Sequence, residues 1–259
     1  MGAEPIFIIN REEKFPHLPA APIVEAVVHW RSPAEKPLND AAIPKKLQER
    51  FPEYQFQEQQ EIEAAVQTQP GNVELRQQTH WNGYRLTNPK DRYIAQLTPH
   101  GLVFSRLAKY DCWTTFEAEA FRFWDAYVEV AEPPVIERLG VRFINQIQLE
   151  PSETPATYLH NAPGPPPGLA LSSDLFFHQD TFAVAGQPYL VNSVRTLQVM
   201  SDQRRVLIVD TDVAIELKSL LDSAALHDHL HDMRYIKNRI FFALVTDAAL
   251  ARFGKANDV

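Results

Sequence analysis

Cysteine, glycine and long apolar runs are scarce in this chain of 259 residues. The single cysteine, Cys112, cannot form an internal disulfide, so we expect a reducing compartment such as the cytoplasm. No apolar stretch approaches the roughly 20 residues that a membrane-spanning helix needs. Acidic residues (33) outnumber lysine and arginine (25), and the net charge of −8 disfavours a broadly basic nucleic-acid surface.

Familiar catalytic signatures are also missing from the sequence. It contains no glycine-rich phosphate loop, no nucleophile elbow and no Cys-x-x-Cys pair. Cys112 has no evident histidine and acid set to activate it, so we predict a packed thiol rather than a nucleophile. No cofactor is predicted, and the enzyme classes that depend on these motifs are disfavoured.

Two segments share a pattern of proline, two branched apolar residues, glutamate and a strand-like apolar run, at residues 22–30 and 134–142. The repetition predicts two similar units, at 22–133 and 134–259, packed as one globular body after an irregular lead-in over 1–21. Each unit has the pattern strand, helix, strand meander, helix. We therefore predict an α+β fold with one extended, curved antiparallel sheet and helices on one face.

Two helical patterns bear on the core. Phe116, Phe123 and Trp124 recur at helical spacing and are predicted to face the core rather than a cofactor. Residues 224–253 predict the longest helix, because apolar residues continue at helical spacing throughout.

The sharpest candidate for chemistry combines two pairs of residues. His227 and His231 are four positions apart, a spacing that lets two imidazoles on one helical face share a metal ion. Asp210 and Asp212 lie on the same side of a predicted strand and could hold a magnesium ion. For the histidines, the alternative is that they belong to a solvated first turn of the helix. For the aspartates, the alternative is that arginines pair with them across the sheet.

Arginines recur along the predicted strands. If several shared the open face of the sheet, they would form an anion-binding or single-stranded nucleic-acid groove with nearby aromatic residues for stacking. Cross-strand pairing with glutamates is the favoured alternative, because acids and bases are balanced here. The candidate residues for the groove are Arg85, Arg106, Arg138, Arg142 and Arg195.

A proline-rich loop at 163–168 is the candidate surface for a protein partner. Pro165, Pro166 and Pro167 follow one another there, and consecutive prolines make a stiff segment.

Several motifs occur in an order that resembles a sporadically distributed bacterial family of about this length with no assigned biochemical function. The last helix departs from that family, which carries a Leu-His pair where this chain has Met233-Arg234. The resemblance implies an architecture but no activity. The matching segments are residues 22–28, 83–86, 110–113 with Phe116, 138–145, 209–212 and 245–247.

These observations together predict a non-catalytic binding or adaptor protein with a protein partner. The scattered distribution of the resembling family indicates an accessory subunit of a bacterial multi-protein system of the mobile-element or defence type. The alternatives are a metal-dependent hydrolase or nuclease that uses the histidine and aspartate pairs, and a single-stranded nucleic-acid binder that uses the strand arginines.

Overall fold

The computed structural model describes residues 6–69, 72–166, 168–169, 171 and 173–254, with only the backbone described over 61–69 and 72–79. Within these residues the chain forms nine strands and five helices. The strands are β1 (Ile23–Arg31), β2 (Gln55–Gln69), β3 (Asn72–Asn88), β4 (Tyr93–Thr98), β5 (Gly101–Leu107), β6 (Ile136–Leu149), β7 (Phe176–Ala183), β8 (Leu190–Val199) and β9 (Arg205–Ser219). The helices are α1 (Ile43–Arg50), α2 (Trp113–Ala131), α3 (Pro155–Tyr158), α4 (Ser223–Leu244) and α5 (Asp247–Phe253).

All nine strands belong to one open, curved sheet in the order β2-β3-β4-β5-β1-β6-β9-β8-β7, and every neighbouring pair is antiparallel. This confirms the predicted α+β class. The central neighbours β1 and β6 contain the two similar sequence segments. The division into units at 22–133 and 134–259, and their origin by duplication, stay predictions.

Side-chain alternation gives the sheet a covered face and an open face. Ala26, Val28 and Trp30 of β1 are fully or almost fully buried, whereas His29 points to the other side. Val28 lies opposite Val141 of β6 in the ladder, so the buried rows of adjacent strands coincide.

The helices lie on the covered face. Phe116 and Phe123 of α2 and Leu230 and Met233 of α4 are buried in one cluster with the sheet residues, which confirms the predicted aromatic core. No helix in the described part of the chain is long and apolar enough to cross a membrane.

The prediction of one helix over residues 224–253 is wrong, because the helix is interrupted after Leu244. Val245 is extended and forms an antiparallel bridge with Leu159, a contact that no local pattern encodes. The Thr246 hydroxyl then accepts the Ala249 N–H at 3.2 Å and caps α5.

The lead-in lies along α4 and forms no helix or strand between residues 6 and 22. Arg11 donates hydrogen bonds of 2.6 Å to Asp228 and to Asp232 on that helix. The Tyr235 hydroxyl donates one to Glu13 at 2.8 Å. These contacts fix the lead-in beside the helix, where it becomes one wall of a cavity.

Candidate functional site

The predicted histidine pair lies at the start of α4 and shares one carboxylate from α2. His227 Nδ1 is 3.1 Å from one oxygen of Glu117, and His231 Nε2 is 3.2 Å from the other. His227 also stacks on Phe121 with 3.8 Å between ring centroids. The histidines are half-exposed but Glu117 is buried, so they satisfy a carboxylate that would otherwise lack partners.

The predicted aspartate pair lies on the open face of β9, away from the histidines. Asp212 accepts a hydrogen bond of 2.6 Å from Arg138, and Asp210 accepts hydrogen bonds of 2.9 and 2.5 Å from Nε and Nη2 of Arg142. Thr211 between them is buried on the opposite, helix-covered face. The two pairs therefore cannot share an ion. Among the described residues, no group of three or more His, Cys, Asp or Glu side chains could hold a metal.

The five arginines do not form one groove, because they are divided between the two faces. Arg138, Arg142 and Arg85 lie on the open face. Arg138 and Arg142 form the ion pairs just described. Arg85 lies between its ladder partners Gln57 of β2 and Gln96 of β4. The other two are on the covered face. Arg106 is bonded to Asp111, and Arg195 donates to Asp180 at 2.8 Å.

Next to the Arg138–Asp212 pair, burial and the adjacent guanidinium lower the pKa of His29 to about 4. The imidazole is therefore neutral at physiological pH. Arg138 and Arg142 on this face are paired with acids, so they leave little net positive charge for a nucleic-acid backbone.

The predicted partner loop is exposed where it is described. Pro165 and Pro166 are both accessible, and Pro167 lies outside the described residues. Exposed apolar side chains follow the loop at Leu169, Leu171 and Leu175. The loop thus remains available as a contact surface, and its role stays a prediction.

A cavity of about 580 Å³ lies on the helix-covered face, and sequence reasoning did not predict it. Its walls come from three parts of the chain: the lead-in between residues 15 and 23, residues 109–113 before and at the start of α2, and the second half of α4. Phe143 and Asn145 of β6 complete it. The volume is within the range of sites that hold small organic ligands.

Lys237 is the most unusual residue in this cavity. It is only 9% exposed, and its ammonium lies 3.7 Å from the ring centroid of Phe143. Among the described residues it has no carboxylate or hydrogen-bond partner. Burial, and then the nearby charge of Arg234, lower the pKa of Lys237 to about 7.

Other basic side chains line the cavity, and few acidic side chains there neutralise their charge. Arg234 and Lys109 are exposed lining residues, and Arg234 lies 5.6 Å from the ring centroid of Trp113. The one lining acid, Asp111, is already bonded to Arg106. Within the described residues, the cavity therefore carries three lysine and arginine charges and one acid that is committed elsewhere.

Polar groups and aromatic rings complete the lining. Trp113 Nε1 is buried without an acceptor in the described part of the chain, whereas Asn145 donates to the Val209 carbonyl at 3.2 Å. Burial raises the pKa of Tyr110, whose hydroxyl stays protonated. Cys112 is exposed at the N-cap of α2, which corrects the prediction of a packed thiol.

One sequence signal could have located the site. Leu230, Met233, Lys237 and Phe241 follow one another at intervals of three and four residues, so the lysine occupies a position of the apolar stripe. A charged residue at such a position must either extend to solvent or lie buried.

The resemblance to a bacterial family rests on the motifs alone, since no protein-family model and no curated protein matches this chain.

Proposed function

We propose that this chain is a non-catalytic binding protein whose ligand is an organic anion held in the cavity beside α4. The observation that carries the proposal is Lys237, a buried cation without an acidic partner among the described residues. A buried charge is costly unless it is paired, so an unpaired one is expected where a ligand supplies the partner.

The charge distribution supports an anion rather than a neutral ligand. The whole chain has a net charge of −8, yet Lys109, Arg234 and Lys237 line one cavity in which Asp111 is the only described acid. Arg234 and Lys109 can meet an anionic group at the surface, while Lys237 meets one inside. Arginine in particular can hold carboxylate or phosphate oxygens with two parallel hydrogen bonds.

The walls support a ligand with an apolar or aromatic body. Phe15, Trp113, Phe143 and Phe242 contribute ring surface to the lining. Ligand sites of this size are commonly apolar with a few polar groups that fix orientation, and planar rings stack well on aromatic side chains. The proposed class is therefore an aromatic or branched carboxylate or phosphate.

Calorimetric titration with matched aromatic probes tests the proposal. We expect phenyl phosphate or benzoate to bind, and the neutral isostere benzyl alcohol to bind at least about tenfold more weakly, because a hydrogen bond to a charged group contributes about 1.5–3 kcal/mol. Lys237→Met should lose the anion preference, whereas Lys46→Met, at an exposed position of α1, should keep it. Equal affinity for the neutral and anionic probes would contradict the proposal.

The accessory-subunit role in a bacterial multi-protein system, and a cytoplasmic location, are proposed from the sequence alone. A tagged chain that elutes from its host lysate without any stoichiometric protein would count against the adaptor role.

The alternatives, a metal-dependent hydrolase or nuclease and a single-stranded nucleic-acid binder, are weaker. Their residues are divided between opposite faces of the sheet, and Asp210 and Asp212 are engaged by arginines.

A further inference from the structure

We infer that Lys237 does more than pair with an anion: it binds the ligand covalently and reversibly as an imine, so that the ligand is an aldehyde or ketone that also carries an anionic group. This inference rests on the proposed anion-binding role of the same cavity. It narrows the ligand class from organic anions in general to oxo acids and anionic aldehydes.

The geometry leaves the Lys237 amine free to react. In the described part of the chain no carboxylate, carbonyl or hydroxyl accepts a hydrogen bond from it, and the amine lies over the face of Phe143, 3.7 Å from the ring centroid. A lysine whose role is structural is normally paired when it is buried. An amine that lines a cavity and faces a ring is instead placed to meet a molecule inside that cavity.

The surroundings also favour the neutral, nucleophilic form of the amine. With a pKa of about 7, Lys237 is about half neutral at pH 7, whereas less than about 0.1% of an ordinary exposed lysine is neutral. An apolar pocket and a neighbouring cation are the two arrangements that activate a lysine toward carbonyl compounds. Both are present, since the Lys237 side chain is buried and Arg234 is close by on the same helix.

Arg234 and Lys237 can bind different groups of one ligand because a guanidinium and an amine differ chemically. The guanidinium of Arg234 stays protonated at any physiological pH and offers a forked set of donors to a carboxylate or phosphate. It lies one helical turn before Lys237 on α4. One ligand can therefore present its anionic group to Arg234 and its carbonyl carbon to the Lys237 amine.

The covalent step is a condensation without any other reactant. The neutral Nζ attacks the carbonyl carbon, a C–N bond forms, and a proton moves from nitrogen to the carbonyl oxygen to give a carbinolamine. The hydroxyl then leaves together with the second amine proton as water, and a C=N bond remains. Addition of water reverses the sequence, so binding is reversible and no oxidant or reductant is needed.

The charged and titratable groups that face Lys237 come from three elements. Arg234 lies on its own helix, Lys109, Tyr110 and Asp111 lie before α2, and His17 belongs to the lead-in. Asp111 is bonded to Arg106, and burial raises the pKa of Tyr110. Burial and the charge of Arg234 disfavour a charged lysine, so imine formation should rise from pH 6 to pH 8.

Two probes that differ only at the carbonyl test the inference. Pyridoxal 5′-phosphate carries an aldehyde, a planar ring and a phosphate, and pyridoxine 5′-phosphate carries an alcohol in place of the aldehyde. The unaltered protein is treated with the aldehyde at pH 7, reduced with borohydride and mapped by peptide mass spectrometry. We expect the reduced adduct to form at Lys237 at least about tenfold faster than at exposed Lys46, and pyridoxine 5′-phosphate to protect Lys237.

Variants separate the imine from the anion site. Lys237→Arg keeps a cation and should retain pyridoxine 5′-phosphate binding while losing the adduct, and Lys46→Arg should change neither. If pyridoxine 5′-phosphate binds but the adduct is spread evenly over exposed lysines, the imine is refuted and the anion site stands. If neither phosphate binds and Lys237 is no more reactive than Lys46, both proposals fail. The mapping on unaltered protein decides the outcome even if Lys237→Arg does not fold.

Discussion

Replacing Lys237 with methionine should make the folded protein more stable at neutral pH. In the native state the lysine is buried over the Phe143 ring without an acid to pair with among the described residues. In the unfolded chain its ammonium is fully hydrated. Methionine has a similar length and no charge, so it can fill the same space without this desolvation penalty.

The magnitude follows from the difference in pKa between the two states. The pKa of Lys237 is lowered from 10.5 to about 7, and each unit corresponds to about 1.36 kcal/mol. The penalty at pH 7 is therefore on the order of 4 kcal/mol, and relaxation of the surrounding side chains and entry of water should reduce it to about 2–4 kcal/mol. That amount is a large fraction of the stability of a typical domain.

The pH dependence gives the prediction its sign. Between pH 7 and about pH 10 the unfolded chain binds the Lys237 proton and the folded chain releases it, so the stability of the unaltered protein rises with pH. The advantage of Lys237→Met should therefore be largest at or below pH 7 and should shrink toward zero near pH 10.

Urea unfolding followed by far-ultraviolet circular dichroism at pH 7, 8, 9 and 10 measures this difference. Lys46→Met serves as the control and should stay within about 0.5 kcal/mol of the unaltered protein at each pH. A Lys237→Met protein that is less stable at pH 7 would refute the reasoning. A difference that does not change with pH would show that the lysine is paired in solution.

Three further changes test the fold and the open face. Gly83→Ala should cost about 3 kcal/mol or more in unfolding free energy, because its φ of +127° disfavours a side chain and an added Cβ would lie 2.0 Å from the Leu97 carbonyl oxygen. Gly164→Ala is the control: a Cβ added at Gly164 has no atom within 4 Å, so the urea midpoint should stay almost unchanged. A double-mutant cycle of Arg138→Gln and Asp212→Asn should give a coupling energy of about 1–2 kcal/mol, since both side chains are largely buried, and a value near zero would show that the pair is broken in solution. Thr246→Val should lose about 1 kcal/mol and increase amide exchange in α5, because the hydroxyl caps that helix and also donates to the Thr157 carbonyl, and unchanged exchange in α5 would contradict the capping role.

The sequence predicts the sheet well because its signals are local. Apolar residues alternate along segments such as Ile136–Leu149, and turns of proline, glycine and asparagine separate the strands. The end of α4 could not be predicted in this way. Val245 leaves the helix because it pairs with Leu159, which is distant in sequence and adjacent only after folding.

The candidate site was less predictable than the fold. The spacing of His227 and His231 is typical of metal ligands, but α2 places Glu117 between them, and nothing in the local pattern indicates that partner. Lys237 occupies an apolar-stripe position, yet a lysine there often extends along the surface to solvent. Only the packing of the lead-in and β6 against α4 decides that this one is buried.

The order of strands in the sheet has a consequence for synthesis on the ribosome. β1 is completed at Arg31 and can pair with β5 once residue 107 has been made, but its other edge waits for β6, whose residues begin at Ile136. During that interval one edge of the central strand β1 is unpaired, and Trp30 lies on the apolar side of that strand. The β6 segment, rather than the carboxyl-terminal helices, thus closes the open edge of β1, and β6 leaves its own second edge open until β9 (Arg205–Ser219) has been made.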